Sequence, residues 1–92
     1  MTGDREDLVL PVVAVDCLGA YCPVPVLRLA AAVKSAAVGQ VVELLVDDPT
    51  AKVDIPVWCR GNDHDFLGRE DAGPADPPRA KPAWVLRVRK AR

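Results

Sequence analysis

Apolar residues recur along this chain with two different spacings, which separate predicted strands from predicted helices. Residues 9–15 are almost wholly apolar and mostly β-branched, as is typical of a buried strand, with Pro11 near its start or on an edge. Residues 41–46 form a second apolar run that predicts another strand. In residues 83–89, Trp84, Leu86 and Val88 share one parity, which predicts a half-buried strand.

Two intervening segments have helical spacing. In the first, apolar residues fall at i, i+3, i+4, i+7 and i+11: Val26, Leu29, Ala30, Val33 and Ala37. Asp48 followed by Pro49 predicts the start of a second helix, which should run to about Gly61. The residues expected to face inward on it are Val53, Val57 and either Trp58 or Ile55. A proline at position 56 is expected to kink or divide this helix.

A weaker strand is predicted over residues 64–69, and a proline-rich loop over residues 71–82. The order strand, helix, strand, helix, strand, strand predicts an α/β two-layer sandwich, with a mixed four-stranded sheet and both helices on one face. Residues 1–8 are expected to be a flexible leader, and residues 9–92 a single domain.

Composition and charge exclude several classes of protein. The 12 basic and 13 acidic residues give a net charge of -1, so no strong field attracts nucleic acid or an anionic membrane. Residues 1–7 lack the basic and apolar regions of a secretory signal, and no apolar run approaches the ~20 residues of a membrane helix. Three cysteines, an odd number, favour reduced thiols in the cytoplasm.

Cys22 lies where the loop after the first strand meets the predicted first helix, and Pro23 follows at the first helical position. We therefore expect Cys22 to be the N-cap residue, beside free backbone N–H groups and the positive end of the helix dipole. A thiolate in such a position has a lowered pKa, and thiolate is the form that attacks sulfur. The plainer alternative is that Cys22 is a small apolar cap, although cysteine is a poor N-cap.

The other thiols and the single histidine have mainly structural explanations. Cys59 is expected to be a buried core thiol, and Cys17 either packs at the strand end or forms a disulfide with Cys22, with packing favoured. His64 is expected at a turn or strand start. A zinc site drawn from these four residues lacks the usual Cys-x-x-Cys spacing. The carboxylates at positions 47 and 48 are explained by helix capping.

The segment Asp16–Pro25 resembles the Asp-x-x-Gly-x-x-Cys-Pro-x-Pro signature of the TusA/SirA-like sulfur carriers. The segments Asp47–Pro49 and Asp54–Cys59 resemble the Asp-Asp-Pro and Asp-Ile-Pro blocks of that family, at matching spacing. Two motifs in the right order make the likeness more specific than either motif alone.

The resemblance implies a βαβαββ two-layer sandwich with one functional cysteine, Cys22, and no metal or organic cofactor. Family members accept sulfur from a cysteine desulfurase or rhodanese-type donor and pass it as a persulfide to DsrE-like or other acceptor proteins. The chain departs from the family pattern at Cys17, Tyr21 and Val24, and in the long loop of residues 71–82. These departures bear on the choice of partner more than on the chemistry.

Three functions follow from the sequence, in order of preference. The first is a sulfurtransferase that carries a persulfide on Cys22. The second is a non-enzymatic RNA- or protein-binding module, supported by fold analogy and by the basic residues at the carboxyl end: Arg79, Lys81, Arg87, Arg89, Lys90 and Arg92. Direct nucleic-acid binding is not favoured, since aromatic residues for base stacking are few. The third is a thiol redox switch that uses Cys17 and Cys22.

Overall fold

The computed structural model describes residues 10–75 and 77–92 of the chain. The predicted leader and Val9 lie outside these residues. Six elements follow in the predicted order: β1 (Val13–Cys17), α1 (Val24–Ser35), β2 (Val41–Val46), α2 (Ala51–Gly61), β3 (Asp65–Asp71) and β4 (Trp84–Arg89). The predicted two-layer sandwich is confirmed.

The sheet has the strand order β1-β2-β4-β3, with β1 parallel to β2 and the other neighbours antiparallel. The parallel pair requires a crossover connection, which α1 provides. Cys17, the last residue of β1, pairs with Val46, the last residue of β2. The loops that leave these two strands therefore lie side by side at one end of the sheet.

The core lies between the helices and one face of the sheet. Alternate residues of β2 (Val42, Leu44 and Val46) are buried, as expected of a strand in a sheet with one covered face, and the bounds of β2 are as predicted. On the opposite face, Leu45 is only half-buried. β1 begins four residues and ends two residues later than predicted, so Pro11, which cannot donate to a ladder, lies outside it.

The first helix begins earlier and ends earlier than its apolar spacing predicts. It starts at Val24 and places Pro25, Leu29 and Val33 in the core. Ala37, predicted on the same inward face, lies beyond the helix end at Ser35 and is exposed. Proline is tolerated in a first helical turn because its missing N–H has no intrahelical acceptor there.

Of the residues predicted to face inward on the second helix, Val53 and Val57 do not, whereas Ile55 does. Val53 is 64% exposed and Val57 is 51% exposed, whereas Ala51, Ile55 and Cys59 are buried. The buried residues repeat every four positions, and a residue two positions away points about 200° around the helix. The helix is also continuous through position 56, so the predicted division at this proline is wrong.

The two helices have 12 and 11 residues. Within residues 10–75 and 77–92, the chain forms no helix with the length and hydropathy needed to cross a membrane.

Candidate functional site around Cys22

Cys22 is exposed on the loop between β1 and α1, and a buried aspartate on the neighbouring loop holds its backbone. The N–H of Cys22 donates to Oδ2 of Asp48 at 2.8 Å, and the N–H of Thr50 donates to Oδ1 of the same carboxylate at 3.0 Å. Asp48 is only 6% exposed. These N–H groups lower the pKa of Asp48 below its usual value. One carboxylate thus joins the Cys22 loop to the start of α2.

A second aspartate holds the rest of the loop. Both carboxylate oxygens of Asp47 accept the N–H of Gly19 at 3.1 Å. Gly19 has a φ of 78°, a left-handed conformation that glycine adopts without a Cβ penalty. Asp47, for which helix capping is predicted, instead makes a tertiary contact with the Cys22 loop.

Lys81, from the proline-rich loop before β4, also reaches this end of the sheet. Its Nζ lies 3.2 Å from the hydroxyl oxygen of Tyr21 and 3.8 Å from Oδ1 of Asp47. The same Nζ lies 4.7 Å from the centroid of the Tyr21 ring, a cation–π distance. Tyr21, which directly precedes Cys22, is thus fixed by a residue 60 positions away in sequence.

The start of α1 differs from the expected N-cap arrangement. Pro23, not Cys22, is the N-cap residue, and within the described chain no side chain donates or accepts a capping hydrogen bond there. Proline has no N–H group, and both Pro23 and Pro25 lie in this turn. The N–H of Val24 donates to the carbonyl of Tyr21 at 2.8 Å. The first turn of α1 is therefore poor in free amides, and the expectation of an amide-rich helix mouth behind Cys22 is wrong.

The surroundings of Cys22 shift the pKa of its thiol in the direction opposite to the expected one. The pKa of the Cys22 thiol is raised, first by its hydrogen bond with the Asp54 carboxylate, then by desolvation and by the negative charges of Asp54 and Asp48. The lowered pKa expected from the helix dipole is not found. The thiol is accessible, and the carboxylates near it disfavour its thiolate form.

An open groove of about 490 Å³ lies beside the thiol. It is lined by Leu18, Gly19, Ala20, Tyr21, Cys22, Val24 and Arg28. Apolar and polar groups share its lining, and the guanidinium of Arg28 donates to the carbonyl oxygen of Asp16 at 3.0 Å. The groove is open to solvent next to Cys22.

The other two cysteines are core residues. Cys17 is 0% exposed at the end of β1, in agreement with the favoured packing role, and Cys59 is 1% exposed on α2. Burial raises the pKa of Cys59 to about 11. His64 precedes β3 and stacks on Trp58 with ring centroids 5.5 Å apart. Among the described residues, no group of three or more His, Cys, Asp or Glu side chains could hold a metal ion.

These positions predict a large difference in thiol reactivity. In the folded protein at neutral pH, iodoacetamide should modify Cys22 alone, because Cys17 and Cys59 are buried. After unfolding in guanidinium chloride, all three thiols should react. Mass spectrometry of tryptic peptides measures both states, and early modification of Cys17 or Cys59 in the folded protein would contradict this assignment.

Three of the arginines at the carboxyl end, on β4 and just after it, are paired with carboxylates. Arg87 forms ion pairs with Glu43 and Glu70 across the sheet. Two further arginines pair with carboxylates of the β3 region: Arg89 with Asp65 and Arg92 with Asp63. Because these charges have partners within the fold, the strand does not offer the row of unpaired cations that a nucleic-acid backbone needs.

The approach of Asp48 and Asp54 to Cys22 is not predicted by the sequence, in which helix capping explains Asp48 and Asp54 is only part of a motif. Their approach to Cys22 depends on the parallel pairing of β1 with β2, which brings the two loops together. One signal was present in the sequence: two prolines in the first turn already predict a shortage of N–H groups.

The family model described as "Sulfurtransferase TusA" matches residues 13–90, and the chain therefore belongs to the TusA family. Two proteins of Archaeoglobus fulgidus with the name "Putative sulfur carrier protein" are similar to it. One is 54% identical over 46 residues, which are 50% of this chain and 60% of that protein. The other is 38% identical over 55 residues, which are 60% of this chain and 75% of that protein.

A crystal structure of a SirA-like protein from Desulfitobacterium hafniense has a similar fold. The TM-score is 0.64 at 21% identity, over 87% of this chain and 99% of that one. The similarity supports the sandwich architecture and its βαβαββ order.

Proposed function

We propose that this protein is a sulfur carrier that accepts sulfur as a persulfide on Cys22 and passes it to an acceptor protein. The observation that supports this most directly is the exposure of Cys22, while Cys17 and Cys59 are buried. Membership of the TusA family supports sulfur transfer as the chemistry. Reduced thiols fit the cytoplasm as the place of action.

The transfer step conserves atoms and electrons. The Cys22 thiolate attacks the outer sulfur of a donor persulfide, and a new S–S bond forms at Sγ of Cys22. The S–S bond within the donor breaks, and the donor cysteine leaves as a thiolate that takes up a proton. The second transfer repeats the same exchange, with Cys22 as the leaving thiolate and an acceptor cysteine as the nucleophile.

The surroundings of Cys22 suit transfer between proteins better than turnover of a small substrate. The groove beside the thiol is open, and the exposed apolar residues Leu18 and Tyr21 border it. We propose a cysteine desulfurase or a rhodanese-type protein as the donor, and a DsrE-like or other protein thiol as the acceptor. The paired arginines of β4 and the burial of Cys17 give no support to RNA binding or to a Cys17–Cys22 redox switch.

Incubation with a cysteine desulfurase and cysteine should add the mass of one sulfur atom to Cys22. The adduct should disappear on reduction with dithiothreitol and should be absent from Cys22→Ser. Cys59→Ala, which removes a buried thiol, should still be loaded. Lack of an adduct with both desulfurase and rhodanese donors, or an adduct that persists in Cys22→Ser, would contradict the proposal.

A further inference from the structure

The proline-rich loop between β3 and β4 is braced at its base and across its middle. The N–H of Ala72 donates to the carbonyl oxygen of Ala83 at 3.0 Å, which closes the loop. Within the loop, the guanidinium of Arg79 donates to the carbonyl oxygen of Gly73 at 2.7 Å. Four prolines between positions 74 and 82 have a fixed φ and limit the conformations of the backbone. Lys81 therefore extends from a loop whose conformation is restricted.

Lys81 connects this loop to the loop that carries Cys22. Its Nζ donates to the hydroxyl oxygen of Tyr21 at 3.2 Å and lies 4.7 Å from the centroid of the same ring. Nζ also lies 3.8 Å from Oδ1 of Asp47, whose carboxylate accepts the N–H of Gly19. One ammonium group thus contacts both the side chain that precedes Cys22 and the carboxylate that holds the turn before it.

Tyr21 is exposed, and yet it is held in place. It is 59% exposed and lines the groove beside Cys22. Its carbonyl oxygen accepts the N–H of Val24 at 2.8 Å, so its backbone has a partner as well as its side chain. An exposed aromatic side chain without such contacts populates more than one χ1 rotamer, and its ordering on docking costs free energy. The contact with Lys81 lowers that cost, because the ring is already ordered in the free protein.

Resting on the proposed function, we propose that Lys81 is a positioning residue for sulfur transfer, which holds the Tyr21 ring as a preformed wall of the groove where the donor protein docks. An aromatic ring suits this role because it offers a large contact area with few rotatable bonds. Lys81 acts through Tyr21 and not on the sulfur atom. The charges that shift the pKa of the Cys22 thiol belong to Asp54 and Asp48, so loss of Lys81 should leave the intrinsic reactivity of the thiol unchanged.

The first test follows the Tyr21 ring by NMR. Tyr21 is the single tyrosine of the chain, so a sample with 13C-labelled tyrosine shows the signals of this ring alone. In Lys81→Ala these signals should move toward the shifts of free tyrosine. In Lys81→Arg, which keeps a cation over the ring, they should stay close to the wild-type shifts. The control is Lys34→Ala, which removes an exposed lysine at the far end of α1 and should leave the ring signals unchanged.

The second test measures the loading of Cys22 by a cysteine desulfurase in the presence of cysteine. In Lys81→Ala the KM for the carrier should rise by about threefold or more, while kcat should stay within about twofold of the wild-type value, because docking is affected and chemistry is not. Lys81→Arg should restore most of the KM, and Lys34→Ala should match the wild type. Loading by glutathione persulfide, which is too small to need the groove wall, should proceed at the wild-type rate in all three variants.

A double variant separates action through Tyr21 from any other effect of Lys81. Tyr21→Ala alone should raise the KM by about threefold or more. Addition of Lys81→Ala should raise it no further, because the residue through which Lys81 acts is gone. Circular dichroism identifies any variant that fails to fold, and Lys81→Met, which keeps an aliphatic chain and removes the charge, then takes the place of Lys81→Ala.

Wild-type ring signals in folded Lys81→Ala would overturn the inference. A wild-type KM in this variant, or a further rise in KM in the double variant, would overturn it as well. The NMR measurement involves no sulfur donor. Failure of both donors to load the wild-type protein would therefore count against the proposed function, while the ring signals would still decide whether Lys81 positions Tyr21.

Discussion

Replacement of Asp48 by alanine is expected to lower the midpoint of thermal unfolding by about 5 °C or more and to release the Cys22 loop. The variant removes the acceptor for the N–H groups of Cys22 and Thr50, which lie on two neighbouring loops at one end of the sheet. Hydrogen exchange measured by NMR should show faster exchange at both amides. Differential scanning calorimetry measures the change in midpoint.

Asp48→Asn serves as the matched control, because it keeps one acceptor oxygen and loses the charge. Its midpoint should lie between those of the wild type and Asp48→Ala. The lowered pKa of Asp48 stabilises the fold above the ordinary aspartate value, and this contribution is lost as the pH falls below about 4. The asparagine variant should lack this part of the acid dependence. Unchanged exchange at Cys22 in Asp48→Ala would contradict the anchoring role.

Replacement of Leu44 by alanine should cost about 2–5 kcal/mol of unfolding free energy. Leu44 is 0% exposed at the centre of β2, where it faces the helices. Truncation leaves a cavity between the two layers that the surrounding side chains cannot fill without shifting. Urea denaturation followed by circular dichroism measures the loss.

The neighbouring residue on the strand is the control for this prediction. Leu45 points to the opposite face of the sheet and is only half-buried, so Leu45→Ala should cost less than half as much. The pair removes the same atoms from adjacent positions. Equal losses for the two variants would mean that the sheet is covered equally on both faces, in contradiction to the two-layer architecture.

Strand alternation made the fold predictable from sequence. The segment 41–46 has apolar residues at every position that faces the core, and its strand bounds are as predicted. Trp84, Leu86 and Val88 share the inward parity expected for β4, with Leu86 and Val88 fully buried. A period of two leaves little freedom, because a slip by one residue would expose every buried side chain.

The second helix was harder to predict because its apolar residues cover more than one face. Val53 and Val57 are as hydrophobic as Ile55, yet only Ile55 is buried. The helix begins at Ala51, just after Asp48 accepts the N–H of Thr50, and its buried residues repeat every four positions from there. An apolar pattern that covers more than one face does not decide between such registers.

The identity of the candidate site residue came from sequence, but its electrostatics did not. The position of Cys22 before Pro23 indicated a reactive thiol at a helix entrance, and Cys22 is exposed there. The charge that acts on the thiol comes from Asp48 and Asp54 on another loop and helix. A helix dipole is a local property of a sequence, whereas the approach of a carboxylate from another element depends on the complete fold.

The N–H of Cys22 is bound by a residue that follows it by 26 positions, and this separation has a consequence for biosynthesis. Cys22 is synthesised before Asp48, so the hydrogen bond between its N–H and the Asp48 carboxylate cannot form until the segment that begins the second helix has been made. A product truncated before residue 48 lacks this contact and leaves the Cys22 loop without its anchor.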